Sequence, residues 1–446
     1  MNSVFQEFRE MDLDPSAEDF HDHWVQLTAE NKREVFSNMT RLDAEELFLR
    51  STPHEQVELL NEMSPTEKRS WLRLLPLDDA ADYIQHLPHE DRMLALTLLD
   101  EKSRNEVLGL LAYAEDDAGG LMNPHFIRLR PSMSVEEAIR YIRSQAKTPV
   151  ENIYYAYVLE NNQKLVGVVS FRELLLALPD RTVDAIMHRD VVTVPENMDR
   201  EEVALIFSKS DIMSIPVIDD EGHIKGIVTY DDIVTVARKE ATEDIQKIGG
   251  VEALDLPYSK TSFLEMVRKR AGWLTVLFLG EMLTATAMSH FQKEIERAVV
   301  LALFIPLIIS SGGNSGSQAT TLIIRALALQ EIKLRDWWRV FLRELGSGLA
   351  LGGILGLIGL IRILVWQSWS PIYGDHYFLI GMTVSISLLG VVMWGTLAGS
   401  MLPFILRALG FDPASASAPF VATLVDVTGL IIYFTVASLI LGGTVL

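Results

Sequence analysis

Residues 419–433 read Pro419-Phe-Val-Ala-Thr-Leu-Val-Asp426-Val-Thr-Gly-Leu-Ile-Ile-Tyr433, a single carboxylate within apolar sequence. The apolar run extends from about Ala414 to Leu446, which exceeds the ~20 residues that a helix needs to cross a bilayer. A carboxylate at that depth costs roughly 2.5–3.5 kcal/mol on insertion scales, so Asp426 is expected to face a water-filled path or a partner. The alternative is a structural acid paired with an arginine on a neighbouring helix.

Four further apolar segments precede this one. The five predicted spans cover residues 272–291, 298–328, 342–366, 377–403 and 414–444. Lys and Arg cluster before the first span and around the second loop, whereas the third loop, residues 367–376, holds neither. Because cytoplasmic loops carry the positive charge, we expect a multi-pass protein of the inner cell membrane, with its first 270 residues cytoplasmic and its C-terminus outside.

Composition separates an acidic soluble half from a neutral membrane half. Hydrophobic residues make up 49% of the chain and the mean hydropathy is +0.19. The net charge is −21, but the residues from Ala271 onward contain nine acids and nine bases, so the excess lies in the first 270. Such a surface excludes nucleic acid as a partner and favours cations, with simple solubility as the alternative. The absence of Cys excludes disulfides and thiolate metal sites.

Residues 1–118 are predicted to form an all-α, solenoid-like N-terminal domain. Apolar residues followed by Pro or Asp recur along it, as in Leu74-Leu75-Pro76, Leu87-Pro88 and Leu98-Leu99-Asp100. Segments with helical periodicity lie between these Pro and Asp positions, a pattern typical of stacked helical hairpins.

Residues 119–240 contain an internal repeat. Met122-Asn-Pro opens the first copy and Met187-His-Arg the second, and eleven residues later each has a second Met that precedes paired acids, at Met133 and Met198. Strand-like runs follow in both copies, and each copy ends in a strand that leads into a helix. The repeat resembles a tandem pair of α/β CBS domains.

CBS pairs often bind adenine nucleotides, which makes ATP a candidate cofactor. Tyr155 is positioned to stack on a base and Arg172 to pair with a phosphate, although both can equally be structural. The soluble half has no Gly-rich phosphate loop that would favour nucleotide.

The segment that follows, residues 231–268, is predicted to be mostly helical. We assign residues 241–270 to a connecting helix and residues 271–446 to the membrane domain. Glu240, Glu243 and Asp244 share one helical face by their spacing, and the alternative is an ordinary solvated face.

The second span contains a run of small and amide residues, Ser310 to Gln318. We expect a broken helix here, because irregular backbone at membrane depth is tolerated where it lines a wet cavity. Freed carbonyls and the Asn314 amide would then be hard oxygen ligands for a cation. The alternative is a close helix-crossing patch, a common use of small residues.

Several motifs resemble the signature of the MgtE family of magnesium channels. They are Gly312-Gly-Asn-Ser-Gly-Ser-Gln318, Ile323-Ile-Arg-Ala-Leu327, Leu334-Arg-Asp-Trp337, Asp412-Pro-Ala414, Leu424-Val-Asp-Val-Thr-Gly429, Ala118-Gly-Gly-Leu-Met122 and Ala241-Thr-Glu-Asp-Ile245. The resemblance covers nearly the whole chain in a single order of domains.

The resemblance implies a homodimeric Mg²⁺ channel with its pore on the dimer axis. In it, Asp426 would bind hydrated Mg²⁺, Asn314 and nearby backbone would contribute to the path, and Asp412 would lie near the cytoplasmic mouth. Mg²⁺ prefers octahedral oxygen and sheds water reluctantly, so a symmetric pair of Asp426 carboxylates suits a hydrated ion.

The resemblance also implies that cytosolic Mg²⁺ closes the channel by bridging acids of the N-terminal domain, the CBS pair and the connecting helix. The matching positions are Asp79, Asp199, Glu201, Asp211, Asp232, Glu240, Glu243 and Asp244. Thr235 departs from the family, whose members can carry a further acid there, so the sensor is expected to be weaker or one ion poorer.

Two other functions stay open. One is a broader divalent cation transporter for Co²⁺, Ni²⁺ or Ca²⁺, although the absence of Cys and of a convincing His cluster disfavours soft metals. The other is a membrane-anchored CBS sensor of nucleotide or metal, whose spans only hold it in place. No nucleophile–base constellation is visible, so we do not expect an enzyme.

Overall fold

The computed structural model describes Trp24 and residues 27–145, 154–160, 162–254, 256, 258–259, 261–370 and 372–444. It forms two compact units, Met1–Ala237 and Arg238–Leu446. The first unit contains a helical domain and two α/β repeats, and the second contains the long apolar helices.

Seven short helices occupy the N-terminal domain between Ala29 and Leu110. They are α1 (Ala29–Asn38), α2 (Arg41–Arg50), α3 (Pro53–Leu60), α4 (Pro65–Leu72), α5 (Leu77–His86), α6 (His89–Leu98) and α7 (Glu101–Leu110). Local capping sets their short lengths: α3 begins with a Thr52–Glu55 capping box and has proline as its first residue, and α4 repeats this arrangement.

The core of this domain contains three aromatic rings that meet across helices. The ring of Trp71 lies 5.0 Å from that of Phe36 and 5.2 Å from that of Phe48, between centroids. A buried ion pair joins Lys32 to Glu55 at 2.7 Å. The helical N-terminal domain predicted from the sequence is confirmed.

The two repeats share the element order strand, helix, strand, strand. The first contains α8 (Ala118–Leu121), β1 (Arg128–Leu129), α9 (Val135–Gln145), β2 (Tyr155–Leu159), β3 (Leu165–Ser170) and α10 (Phe171–Leu176). The second contains β4 (Val194–Pro195), α11 (Arg200–Ser208), β5 (Ser214–Ile218) and β6 (Ile224–Thr229). The sheets are ordered β1-β2-β3 and β4-β5-β6, each with one parallel and one antiparallel pair.

The opening segment of each repeat packs against a strand of the other repeat. Gly167 in β3 lies against Met187 of the second repeat, where an added Cβ would be 2.7 Å from the sulfur. Gly226 in β6 lies against Met122 of the first repeat, 2.8 Å from its Cγ by the same measure. These exchanged contacts explain the matched Met and Gly positions of the repeat, and the predicted tandem CBS pair is confirmed.

The connecting helix, α12 (Tyr230–Ile248), continues directly from β6. It ends at two glycines, and Gly250 has a φ of +70°, a left-handed conformation that glycine adopts readily. The prediction that residues 231–268 are mostly helical therefore holds to Ile248 and again from Phe263, whereas the described residues between them are not helical.

Among the residues that the structure describes, five apolar helical segments confirm the predicted spans. The helices of this half are α13 (Phe263–His290), α14 (Gln292–Arg297), α15 (Val299–Ala302), α16 (Ile305–Ala328), α17 (Trp337–Trp369), α18 (Tyr377–Ala408) and α19 (Ala418–Leu441), and the second span combines α15 with α16.

The expected break in the second span is wrong. Residues 310–318 are continuous helix within α16, so their backbone carbonyls are not freed as ligands. Their small size instead allows α16 to approach α18: a Cβ on Gly316 would lie 2.9 Å from the Gly395 oxygen, and Thr320 Oγ1 donates to the Gly399 oxygen at 2.8 Å. The close helix-crossing patch is the alternative that the structure supports.

Candidate functional site

Asp426 is half-buried in the middle of α19. The carboxyl group of Glu281 on α13 lies within hydrogen-bonding reach of it. The close approach of the two helices is possible because Gly280 faces Thr423, whose methyl carbon would be 2.6 Å from an added Cβ. The neighbour of Asp426 is thus an acid, and in the described part of the chain no basic side chain forms an ion pair with it. A purely structural acid–arginine pair is not what this geometry shows.

The α16 face beside Asp426 is polar and exposed. Gly313 lies against it, with 3.8 Å between a Cβ built there and Asp426 Oδ1. One residue later Asn314 is exposed, and Ser310 and Gln318 continue the face one turn away in either direction. Polar side chains at membrane depth are costly against lipid, so this face requires water or a second protein surface. Asn314 and Asp426 therefore border the same polar region.

A second acidic cluster lies where α12 meets the turn before α19. Lys247 Nζ is 2.6 Å from Glu243 Oε1 and 2.6 Å from Asp412 Oδ2. Burial, and then the Asp412 charge, raises the pKa of Asp244 to about 6, and Glu240 and Glu243 add to the effect. The predicted acids Glu240, Glu243, Asp244 and Asp412 are thus brought together, with a lysine among them that the sequence analysis missed.

Hydrogen bonds hold this lysine in its charged form. Burial alone would lower the pKa of Lys247, but its bonds to Asp412 and Glu243 raise it. The lysine is therefore a fixed positive charge among four carboxylates.

A third cluster lies in the soluble unit. Burial raises the pKa of Asp79 on α5 to about 6 and that of Asp232 on α12 to about 7. The carboxylate of Asp231 adds to both shifts, and Asp232 Oδ2 also accepts a hydrogen bond from Thr229 Oγ1 at 2.6 Å. Burial and mutual repulsion make these carboxyl groups hard to ionise. A bound cation would stabilise their ionised form.

The remaining predicted acids lie apart from this cluster. Asp199 caps α11, its Oδ1 accepting from the Glu201 amide at 2.8 Å, and its backbone bridges Asp117. Asp211 is exposed in the loop before β5. Within the described residues, no three His, Asp or Glu side chains are arranged around a common metal position.

The predicted nucleotide residues lie next to the same strand pair. Tyr155 is half-buried at the start of β2 and pairs with Ser170 across β3, while Arg172 is exposed in the first turn of α10. A 440 Å³ cavity nearby in the repeat is lined by Arg128 and Arg130, and neither predicted residue borders it.

Three family models match the chain in the order of its domains. They are the MgtE intracellular N domain over residues 16–116, the CBS domain over 118–180 and 183–239, and the MgtE divalent cation transporter over 305–436.

Curated relatives agree with these models. The magnesium transporter MgtE of Thermus thermophilus is 45% identical over 344 residues, 77% of this chain and 74% of that protein. The magnesium transporter MgtE of Enterococcus faecalis is 36% identical, over 75% of this chain and 71% of that protein. The crystal structure of the cytosolic domain of the Mg²⁺ channel MgtE in complex with ATP covers 52% of this chain and 98% of its own, at 36% identity and a TM-score of 0.48. The identity and coverage of the two curated relatives show that the chain belongs to the MgtE family of magnesium transporters.

Proposed function

We propose that the chain is a Mg²⁺-selective channel for magnesium uptake and that it acts as a homodimer. The observation that carries this proposal is the pairing of Asp426 with Glu281 beside the exposed polar face of α16. Two carboxyl groups that form no ion pair with any described basic side chain attract a cation, and dimerisation through this face would double them around one axis. Mg²⁺ keeps most of its water and suits such an outer-sphere site better than a closed cage of protein ligands.

The first test is Mg²⁺ flux into proteoliposomes. Asp426→Asn keeps the shape of the side chain and removes its charge, so we expect Mg²⁺ flux to fall at least about tenfold, the effect of 1.4 kcal/mol of lost ion stabilisation. Glu281→Gln should reduce flux less, because Glu281 is the more exposed partner. Full flux in Asp426→Asn would favour the anchored sensor, and equal flux of Co²⁺, Ni²⁺ or Ca²⁺ in the wild type would favour the broader transporter.

Cytosolic Mg²⁺ is proposed to close this channel by binding the acidic clusters. Two carboxylates ~6 Å apart repel by roughly 2–3 kcal/mol at an effective dielectric constant near 20. A switch from 1:99 to 99:1 requires about 5.5 kcal/mol, so a few bridging ions are sufficient. Asp79 with Asp232, and Glu240, Glu243 and Asp244 with Asp412, are the clusters that the geometry favours for this role.

Neutralising the connecting helix tests this regulation. The variant Glu240→Gln/Glu243→Gln/Asp244→Asn should conduct at millimolar internal Mg²⁺ concentrations that silence the wild type, because the sites that bind the closing ion have lost their charge. Unchanged inhibition in that variant would remove α12 from the sensor.

Topology and cofactor assignments complete the proposal. We also propose domain boundaries at residues 118, 240 and 270, and a C-terminus outside the cell, which an odd number of crossings from a cytoplasmic N-terminal half requires. ATP binding at Tyr155 and Arg172 is a further proposal, to be measured by equilibrium dialysis of ATP against the wild type and Tyr155→Ala. Equal binding by both would exclude Tyr155.

A further inference from the structure

We propose that the first turns of α17 form a binding site for an anionic phospholipid headgroup. Arg335, Arg339 and Arg343 follow one another at four-residue spacing, and all three are exposed. We call these three residues the arginine stripe. Among the described residues, none of them forms an ion pair with a carboxylate. Three exposed guanidinium groups, two on α17 and one in the turn before it, create a local positive field that attracts phosphate.

Packing of one side of α17 limits the direction of the stripe. Val340 is buried and belongs to a small apolar cluster with Leu327 of α16 and Phe404 of α18. Val340 fixes the rotation of α17 about its axis; Arg339 lies about 100° and Arg343 about 60° around the helix from it. In that rotation both arginines are exposed. The helix therefore presents the arginines outward as a consequence of its core contacts.

The nearby carboxylates do not cancel the stripe. Asp336 accepts a hydrogen bond from the Lys333 amide at 2.9 Å, which caps the turn before α17. Glu344 is half-buried beside Arg343. One carboxylate is thus engaged by backbone and the other is partly withdrawn from the surface, so the exposed charge of this segment stays positive.

An exposed apolar surface borders the arginine stripe. Trp338 is 53% exposed and Leu342 is 50% exposed, one helical turn apart. Trp338 stacks on Phe341 with 5.3 Å between ring centroids and an interplanar angle of 8°, which holds the indole in place. Just beyond, Gly346 has no atom within 4 Å of an added Cβ, so the surface there is open. Tryptophan with open apolar surface is the usual lining of the headgroup–acyl boundary.

The position along the chain places this surface at the membrane boundary. The chain crosses once in α13 and returns in α16, so α17 begins on the side from which α13 started, the side of the acidic soluble half. A cytoplasmic leaflet that contains anionic lipid carries a negative surface potential, and basic residues beside a span gain free energy from it. Free phosphate would satisfy the arginines but not the apolar surface, so a diacyl phospholipid with an anionic headgroup is the ligand that fits both.

Lipid binding to the full chain in neutral detergent tests the proposal by native mass spectrometry, with phosphatidylglycerol and phosphatidylcholine as probes. We expect the wild type to prefer phosphatidylglycerol. Arg339→Gln/Arg343→Gln should weaken that binding about 30-fold, the loss expected for two charges near an anionic surface. The matched control is Arg268→Gln/Arg270→Gln, which removes two exposed arginines at the start of α13 on the same side of the membrane and should leave the binding unchanged.

Four further measurements separate the alternatives. Arg339→Lys/Arg343→Lys should retain most of the binding, and phosphatidylcholine binding by every variant reports an intact fold. Trp338→Ala should weaken phosphatidylglycerol binding, and inorganic phosphate should not compete. Equal losses of binding in Arg339→Gln/Arg343→Gln and in Arg268→Gln/Arg270→Gln would mean that general electrostatics causes the effect, and would overturn a site on α17. Full competition by inorganic phosphate would overturn a lipid as the ligand.

Discussion

At the residue scale, Lys247 sets the charge of the cluster at the end of α12. Its ammonium group forms ion pairs with Glu243 and Asp412. It therefore takes the position between these carboxylates, and neutralises the negative charge, that a Mg²⁺ ion would otherwise use. Lys247→Met removes that internal cation and keeps the length of the side chain. A unit charge a few ångströms away is worth several kcal/mol at an effective dielectric constant near 20, before screening at this partly exposed site. We therefore expect the internal Mg²⁺ concentration for half-inhibition of flux to fall about tenfold.

Lys239 offers the matched control for this variant. It lies on the same helix and is exposed. Lys239→Met should leave half-inhibition near the wild-type concentration. If both methionine variants shift inhibition equally, the effect belongs to the net charge of α12, and Lys247 has no special place in the cluster.

The residue scale also shows what the sequence can and cannot predict. Asp426 stood out because a carboxylate in apolar sequence is costly, and Glu243 because helical spacing placed it with other acids. Glu281 and Lys247 were missed although both are visible in the sequence. Their importance depends on partners 145 and 165 residues away, Asp426 and Asp412, and no local pattern encodes that contact.

At the element scale, small residues determine how closely the membrane helices pack. Gly352 on α17 lies against α18, where an added Cβ would be 2.8 Å from the Leu389 Cα and 2.9 Å from its oxygen. Backbone atoms cannot move aside as a side chain can, so Gly352→Ala should lower the free energy of unfolding by about 1–3 kcal/mol, the usual cost of overpacking. Denaturation of the purified chain in mixed micelles measures the change.

The adjacent glycine is the control for this prediction. An added Cβ on Gly353 meets only the Leu389 Cδ1 atom, at 4.0 Å. Gly353→Ala should therefore be neutral or slightly stabilising, since alanine is the better helix former. Comparable destabilisation by both substitutions would mean that loss of helix flexibility, and not close approach to α18, is the cause.

Packing of this kind also explains the failed prediction for α16. A run of small polar residues predicts either a broken helix or a close crossing, because both need short side chains. The complementary glycines that decide between them, Gly395 and Gly399, are on α18. The type and length of α16 were predictable from the length of the apolar run. The role of Ser310 to Gln318 was not, because it depends on the partner helix α18.

At the scale of the whole molecule, the order of domains was predictable because each has its own local pattern: short capped helices, a repeat with β-branched strands, then long apolar spans. The contacts between residues far apart in the sequence were not predictable. Asp79 and Asp232 influence one another across 153 residues of sequence, and only the folded unit shows that α5 and the start of α12 share a buried acidic cluster.

That cluster predicts an unusual pH dependence of stability. Asp79 and Asp232 have folded-state pKa values raised to about 6 and about 7, so the folded chain holds protons that the unfolded chain has released. Stability from these groups is fully present below pH ~4 and is lost as the pH rises through 6 and 7. Without divalent ions, raising the pH from 5.5 to 7.5 should lower the free energy of unfolding by about 2–3 kcal/mol through these two carboxyls.

Chemical denaturation of the full chain at each pH, compared with Asp79→Asn/Asp232→Asn, isolates the contribution of these two carboxyls from that of the histidines. The double variant should lack this part of the slope, and saturating Mg²⁺ should abolish it in the wild type, because a bound cation replaces the protons. An equal slope in the variant would place the titrating groups elsewhere, and a slope unaffected by Mg²⁺ would mean that the cluster binds protons but no metal.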